Sequence, residues 1–264
     1  MRASSSAVHQ KGGLRAPFSY CLLLGLAFVS SACAEQRPAA DLPQPPAKVL
    51  FVGNSFTYYN NSMHNHYRAL VRASGHKFDV ASRARIMTIS GGHLPEHARG
   101  LPQMLASADW DVVVMQGHSK GPISEGTAEP FRVAARDFAA QIRDSGARPV
   151  FFMTWAYVGK PEMTAQLDAA YTGIGAELDA QVVPVGLAFA TASEERPDIL
   201  LRTADARHPT LAGTYLAACT FYAAFFGRSP EGIEYDAGLG ADVAEYLQSI
   251  AWQTVSAYSA GEAD

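Results

Sequence analysis

The chain has 264 residues, 48% of them hydrophobic and 17% charged, with a formal net charge of −4 at pH 7. This composition is typical of a globular protein, and the length suffices for one sizeable α/β domain. Because the chain is acidic and has no basic cluster, we expect neither nucleic acid nor anionic lipid as a partner.

Residues 1–33 have the parts of an export signal. Arg2, Lys11 and Arg15 form a positive segment that contains no acid. An apolar run follows at 21–29, which is too short to span a bilayer, and small residues come after it. We therefore expect the protein to be exported, either to the periplasm or cell envelope or into the medium.

Two cleavage sites compete at the end of this signal. In one, Ser31-Ala32-Cys33 resembles a lipoprotein signal with Cys33 as the lipidated first residue, although Ser30 stands where leucine is usual. In the other, cleavage follows Ala34. We favour the lipoprotein interpretation, in which a lipid anchor is the only contact with the membrane.

Residues 34–47 are rich in proline and predict an extended linker that leads into a domain at 48–264. The only cysteine beyond Cys33 is Cys219, which lies in an apolar helical segment. The sequence therefore predicts a domain without an internal disulfide and without a cysteine-based metal cluster.

Strand and helix patterns alternate through this domain. Apolar runs predict strands at 49–52, 78–81, 111–115, 149–154 and 181–185, with further extended structure up to residue 90. Helical patterns lie at 62–74, 94–107, 127–144, 161–178, 210–226 and 241–258. The alternation predicts a parallel sheet with helices on both faces. Ligands of such sheets bind at the carboxyl ends of the strands, where we expect Ser55, Gln116 and Trp155.

Ser55 is a candidate nucleophile because it follows the first strand on the turn Gly53-Asn54. Glycine permits a tight turn there, and a serine on such a turn can present its hydroxyl at the edge of the sheet. The alternative is an ordinary turn serine or a helix cap.

Asp205 and His208 form a second candidate pair just before a helix. Pro209 excludes His208 from a helix interior, so we expect the pair on a loop. An aspartate beside a histidine can fix its tautomer and stabilise the imidazolium that forms during proton transfer. The alternative is a capping aspartate and an unrelated surface histidine.

Two further candidates are weaker. His93 and His97 are spaced like a pair of metal ligands, but Pro95 lies between them and the H-E-x-x-H order is absent. We therefore favour a structural or substrate-lining role for them. Trp155 and Tyr157 predict either an aromatic wall of a substrate site or core packing at the end of a strand.

Together these segments resemble the SGNH (GDSL) hydrolase superfamily. Residues 53–57 resemble its first block, with Asn54 in place of the usual aspartate, and residues 205–209 resemble its last block, D-x-x-H-P. Ser90-Gly91-Gly92 falls where the second block belongs. Residues 116–119 fall where the third belongs, and their divergence is similar to that of a poorly characterised branch.

The resemblance implies a three-layer α/β/α, flavodoxin-like fold with a parallel five-stranded sheet. It implies acyl-ester hydrolysis with Ser55 as nucleophile, His208 as general base and then acid, and Asp205 as the orienting partner of His208. It implies no metal or organic cofactor.

The resemblance also implies donors for an oxyanion. These would be the N–H groups of Ser55 and Gly92 and one side chain of the third block. That side chain is either Gln116, which we favour, or His118, because both can donate a hydrogen bond. We expect the substrate to be lined by Asn54, His93 and Trp155.

The sequence therefore predicts a serine esterase that acts on small acyl esters, with acetylated carbohydrate as the candidate substrate. Two alternatives remain. One is a surface carbohydrate-binding lipoprotein whose hydrolase site has degenerated, and the other is an O-acyltransferase that uses the same acyl-enzyme.

Overall fold

The structure is a computed structural model that describes residues 45–76 and 84–261. The predicted signal at 1–33, most of the predicted linker and the predicted strand at 78–81 lie outside the described residues. Among the helices of the described part, none combines the length and apolar character needed to cross a membrane.

Five parallel strands form one sheet in the order β2-β1-β3-β4-β5. Their bounds are Val49–Gly53 (β1), Ala84–Thr88 (β2), Val112–Gln116 (β3), Arg148–Phe152 (β4) and Gln181–Val183 (β5). Four of them confirm the strands predicted from apolar runs. The other, β2, lies in the stretch before residue 90 where further extended structure was expected.

Eight α-helices connect and cover the strands within the described residues. Their bounds are Ser55–Tyr58 (α1), Met63–Ala73 (α2), Leu101–Leu105 (α3), Ala128–Asp144 (α4), Glu162–Glu177 (α5), Val185–Glu195 (α6), Leu211–Phe226 (α7) and Ala241–Gly261 (α8). The helices predicted near α2, α4, α5, α7 and α8 are confirmed.

One prediction about the connections was wrong, and one helix was not predicted. The helix expected at 94–107 is divided into a 3-10 turn at Leu94–His97 and the short α3. Pro95 and Pro102 each begin one of these turns, and a side chain at Gly100 would meet the Met87 methyl at 2.6 Å. The apolar α6 was missed because its first residue was interpreted as the end of β5.

Alternate residues of β1 face two separate cores. Val49 and Phe51 pack against a core that includes α2, α7 and α8, whereas Leu50 and Val52 pack against one that includes α3, α4 and α5. The two-residue period of a strand explains this division. The described part of the chain is therefore a three-layer α/β/α structure, as the resemblance implied.

The carboxyl ends of β1 and β3 meet closely at one edge of the sheet. A side chain at Gly53 would lie 2.6 Å from both the Gln116 Oε1 and the Thr57 Oγ1 atoms. Glycine is therefore required at the end of β1 because the backbone approaches the end of β3 too closely for a Cβ atom.

Candidate active site

Ser55 is the first residue of α1, and only Asn54 separates it from the end of β1. Asn54 caps this helix, and its Oδ1 atom accepts a hydrogen bond from the Phe56 N–H at 3.1 Å. Capping of this kind satisfies an N–H group that has no partner inside the helix. The cap therefore fixes the turn from which the Ser55 hydroxyl projects.

Asp205 organises the loop before α7. Its Oδ1 atom accepts hydrogen bonds from the Thr203 hydroxyl at 2.8 Å and from the N–H groups of Arg207 and His208, both at 2.9 Å. The loop is closed by an antiparallel bridge between Arg202 and Pro209. The Asp205 carboxylate, which we expected to pair with the His208 side chain, therefore also holds the backbone that carries His208.

The side chains of Ser55, His208 and Asp205 form a continuous chain of hydrogen bonds. His208 Nε2 lies 2.9 Å from Ser55 Oγ, and His208 Nδ1 is hydrogen-bonded to Asp205 Oδ2. Because a carboxylate only accepts, Nδ1 donates to Asp205 and Nε2 is left to accept the Ser55 proton. This geometry can convert a serine hydroxyl into a nucleophile.

The charge of Asp205 suits this arrangement. The hydrogen bond with His208 holds the pKa of the Asp205 carboxyl well below its usual range. The N–H groups of Arg207 and His208 and the Thr203 hydroxyl lower it further. Asp205 is therefore ionised throughout the neutral and mildly acidic range, where it can orient the imidazole and stabilise its protonated form.

Aromatic rings fix the position of the His208 ring. Tyr59 stacks on it with a centroid distance of 4.4 Å and an interplanar angle of 9°, and Phe56 contacts it edge-on at 5.8 Å. Both rings belong to the segment that follows Ser55. The segment that carries Ser55 therefore also orients the His208 ring.

A pocket of about 270 Å³ opens above the Ser55 hydroxyl. It is lined by Asn54, Ser55, Phe56, Tyr58, Tyr59, Ser90, Gly91, His118, Ser119, Arg207 and His208. The pocket is small and mostly polar, and it contains two members of the hydrogen-bonded chain. It can accommodate a short acyl group next to a polar leaving group.

Gln116, which we favoured as a donor to this pocket, does not line it. Its Nε2 atom donates to Asn54 Oδ1 at 2.8 Å and to Gly117 O at 3.1 Å, and its Oε1 atom accepts from Thr57 Oγ1 at 2.6 Å. Both amide hydrogens are thus used inside the protein, where Gln116 is 1% exposed. The preference for Gln116 is therefore corrected.

His118, the alternative to Gln116, lines the pocket. Its pKa is lowered first by burial and then by electrostatic interaction with His93, Arg207 and Lys120, whereas Glu96 raises it. A lowered pKa favours the neutral imidazole, which still carries one N–H group able to donate a hydrogen bond.

The Gly92 N–H, also expected to face the oxyanion, donates instead to Ile89 O at 3.0 Å. The Gly92 carbonyl accepts from Asn54 Nδ2 at 3.0 Å, so both of its backbone polar groups are occupied. The preceding Gly91 lines the pocket, with a φ of +65° that favours glycine. Gly91, and not Gly92, therefore lines the pocket.

Trp155 does not line the pocket, contrary to the expectation that it contacts substrate. Its ring is buried and stacked between Phe56 and Phe189, at centroid distances of 4.2 and 4.1 Å. Its Nε1 atom donates to Arg207 O at 2.9 Å. Trp155 therefore supports the loop that carries His208. The sequence does not reveal this role, because it shows only an aromatic residue at the end of a strand.

Asn54 and His93, the other residues expected to line the substrate, lie in different cavities. Asn54 lines the pocket, whereas His93 lines a neighbouring cavity of about 220 Å³ and stacks on His118 at 4.3 Å. His97, the last residue of the 3-10 turn that follows His93, is buried. Among the described residues, no group of three or more His, Cys, Asp or Glu side chains is placed to hold a metal ion.

Sequence reasoning missed Tyr59, Asn60 and Arg207 as parts of the site. Asn60 Nδ2 donates to Pro209 O at 2.8 Å and so links the segment after the nucleophile to the loop of the base. The run Tyr58-Tyr59-Asn60-Asn61 has the composition of an aromatic turn. This composition indicates a turn in the sequence. It does not specify that Asn60 contacts Pro209, which is 149 residues away.

Comparisons with known proteins agree with this fold. No protein-family model and no curated protein matches the chain. Among solved structures, it is similar to a candidate SGNH hydrolase from Slackia heliotrinireducens at 26% identity, covering 67% of this chain and 97% of that one, with a TM-score of 0.55.

Two more distant structures are similar in fold. A DUF4886 family protein from Bacteroides uniformis is 18% identical, with coverage of 79% of this chain and 94% of that one and a TM-score of 0.62. An acetylxylan esterase from Geobacillus stearothermophilus, solved as a catalytic mutant, is 13% identical over 71% and 97%, with a TM-score of 0.56. With its parallel five-stranded sheet and its similarity to the Slackia structure, the chain has the fold of the SGNH/GDSL-like superfamily.

Proposed function

We propose that the protein is a serine esterase that hydrolyses small, acetyl-type esters, with acetylated carbohydrate as the substrate class. The observation that carries this proposal is the hydrogen-bonded chain Ser55–His208–Asp205 at the base of a small polar pocket. Its support at the level of the superfamily comes from the solved relatives, which include SGNH hydrolases and acetylxylan esterases.

The first half of the reaction forms an acyl-enzyme. Ser55 Oγ attacks the ester carbonyl carbon while its proton passes to His208 Nε2, and the carbonyl oxygen becomes an oxyanion. The tetrahedral intermediate then expels the alcohol, whose oxygen takes the proton from His208. Asp205 stays ionised and stabilises the imidazolium between the two transfers.

The second half releases the acid. Water attacks the acyl carbon and gives a proton to His208 Nε2. The second tetrahedral intermediate collapses, and Ser55 Oγ leaves with the proton returned by His208. The products are the carboxylic acid and free enzyme, so no external reactant besides water is consumed.

Three donors are proposed for the oxyanion: the Ser55 and Gly91 N–H groups and the His118 ring. As the first residue of α1, Ser55 has an N–H without a partner inside the helix. Gly91 and His118 line the pocket beside it. Such donors act most strongly when they are fixed before the reaction begins.

The test is an ester panel of rising acyl length, from p-nitrophenyl acetate to octanoate, together with acetylated xylan. Wild type should be most active on acetate. Ser55→Ala should lower kcat by at least about 10³-fold, because the nucleophile is lost. Ser145→Ala, at the end of α4 and far from the pocket in the fold, is the matched control and should retain activity.

Two outcomes would contradict the esterase proposal: Ser55→Ala with undiminished turnover, or wild type without activity on every ester. Binding of acetylated glycan without turnover would favour the degenerate lectin-like alternative. Addition of an acceptor sugar separates acyl transfer from hydrolysis, since transfer yields a new ester in place of free acetate.

We further propose that this activity lies outside the cytoplasm, where the signal predicted at residues 1–33 would deliver the enzyme. Metabolic labelling with a fatty-acid probe tests the lipoprotein form. Label should be present in the full chain and absent from Cys33→Ala. An unlabelled, released protein beginning at Glu35 would contradict lipidation and favour the alternative cleavage.

A further inference from the structure

Arg207 is held by its backbone on both sides while its side chain is exposed at the pocket. Its N–H donates to Asp205 Oδ1 and its carbonyl accepts from Trp155 Nε1, both at 2.9 Å. Trp155 is itself fixed between two stacked rings. Arg207 therefore stands at a fixed point one residue before His208, where it is exposed and lines the pocket.

Among the described residues, Arg207 forms no ion pair with a carboxylate. Within the described residues, no carboxylate oxygen lies within 4.0 Å of its guanidinium, whereas Arg136 and Arg196 pair with Glu177 and Asp198. The adjacent Asp205 uses Oδ1 for three hydrogen bonds and Oδ2 for His208. The only acid facing Arg207 along its own loop is thus already occupied.

A second cation, Lys120, follows His118 by two residues in the chain. Arg207 and Lys120 both lower the pKa of His118, whereas Glu96 raises it. Glu96 accepts from the His93 N–H at 2.7 Å. The chain as a whole is acidic, with a net charge of −4, so a preference for an anion at this pocket has to come from local groups such as Arg207.

We propose that the Arg207 guanidinium binds a carboxylate on the alcohol part of the substrate, so that the enzyme prefers acetyl esters of acidic sugars to those of neutral sugars. This inference rests on the proposed esterase function. The planar guanidinium can donate two parallel hydrogen bonds to a carboxylate, which gives both affinity and orientation. The small pocket holds the acetyl group and leaves the alcohol part at the mouth, beside Arg207.

The experiment compares two acetyl esters that differ in one charge, 4-acetoxybenzoate and its neutral analogue 4-acetoxybenzamide. The readout is the ratio of their kcat/KM values, each corrected for spontaneous hydrolysis. In wild type at low ionic strength, we expect the benzoate to be favoured about tenfold, as for a charge-assisted hydrogen bond. Raising the salt concentration should reduce this ratio without any substitution, because salt screens the exposed charge.

Variants then assign the preference. Arg207→Gln should bring the ratio close to one. Arg207→Lys should retain part of the preference, because lysine keeps the positive charge but lacks the two parallel N–H donors of the guanidinium. Arg148→Gln is the matched control, because it removes the same charge from an exposed residue at the start of β4, the end of the strand away from the pocket. It should leave the ratio unchanged.

A ratio near one in wild type, or a ratio that persists in Arg207→Gln, would overturn the inference. In both cases the proposed function would stand if Ser55→Ala still abolished turnover of the two esters. Absence of Ser55-dependent turnover of either ester would instead reject the esterase proposal. The same data thus separate the two failures.

Discussion

At the scale of single residues, Gln116 and Asn54 form the buried support of the nucleophile. Gln116 Nε2 donates to Asn54 Oδ1, which also caps the helix that begins at Ser55. Gln116 Oε1 accepts from the Thr57 hydroxyl one turn further along. A buried polar network in which every partner is satisfied is rigid, and removal of one member leaves the others unpaired.

This division of roles predicts different effects for Gln116→Ala and His118→Ala. His118→Ala should lower kcat by about 10²–10³-fold, because an oxyanion donor is lost. It should change the free energy of unfolding by less than about 1 kcal/mol, since His118 is partly exposed. Gln116→Ala should cost about 1–3 kcal/mol of stability, because Thr57 and Asn54 lose a buried partner.

Steady-state kinetics and urea denaturation of the two variants provide the measurements. A Gln116→Ala protein of unchanged stability but with kcat reduced, next to a fully active His118→Ala protein, would reverse these assignments.

The choice between these two residues also marks where sequence reasoning ends. The apolar run at 111–115 predicts the strand that ends near Gln116. The order of the motifs predicts that the third block follows this strand. Whether the amide points into the sheet edge or into the pocket depends on a partner 62 residues away, Asn54, which no local pattern specifies. Trp155 is the same case, since a buried and a substrate-lining aromatic look alike at a strand end.

At the scale of elements, the α1–α2 connection joins the nucleophile to the base. Asn60, Asn61 and Ser62 have φ values of 52°, 65° and 67°, a left-handed run that is unusual outside glycine. Asn60 Nδ2 donates to Pro209 O and to Thr214 Oγ1, both at 2.8 Å, and Asn60 O accepts from His66 Nε2 at 2.7 Å. The strained turn therefore connects α1, α2 and the start of α7.

Asn60→Gly should keep the left-handed backbone but remove the bonds to the base loop. We expect kcat to fall about ten- to a hundredfold, with a smaller change in KM, because the base is less well aligned with Ser55. Asn61→Gly is the matched control, since it makes the same change in a neighbouring left-handed residue that does not contact the base loop. Equal kinetic effects of the two substitutions would contradict a positioning role for Asn60.

The elements themselves were largely predictable from the sequence because their periods are local. The apolar run at 112–115 is typical of a buried strand, and the apolar character of α7 on all sides agrees with the burial of 14 of its 16 residues. The connections were less predictable, as at 94–107, where two prolines and the close approach of Gly100 to Met87 divide the helix.

At the scale of the whole molecule, several histidines are held neutral by the fold. Burial lowers the pKa of His64 to about 4, and burial is also the largest cause of the lowered pKa of His66 and His97. In the unfolded chain these groups take up protons near pH 6.5. The unfolded state therefore binds more protons than the folded state in the acid range.

It follows that the stabilisation from these neutral histidines is present above about pH 6.5 and is lost as the pH falls toward 4. We expect the urea midpoint to decrease steadily over this range, and the decrease to be shallower in His64→Gln. The lowered pKa of Asp205 acts in the same direction at still lower pH. A midpoint that is constant or rises between pH 7 and pH 4 would contradict this account.

The central claim, that Ser55 is a nucleophile activated by His208, is tested most directly by covalent capture. The purified protein is treated with a fluorophosphonate at neutral pH, and the adduct is located by intact mass and peptide mapping. The account predicts one adduct per chain, on Ser55, that is absent from Ser55→Ala and forms far more slowly in His208→Ala. A chain that stays unmodified, or an adduct that forms equally in Ser55→Ala, would contradict the claim.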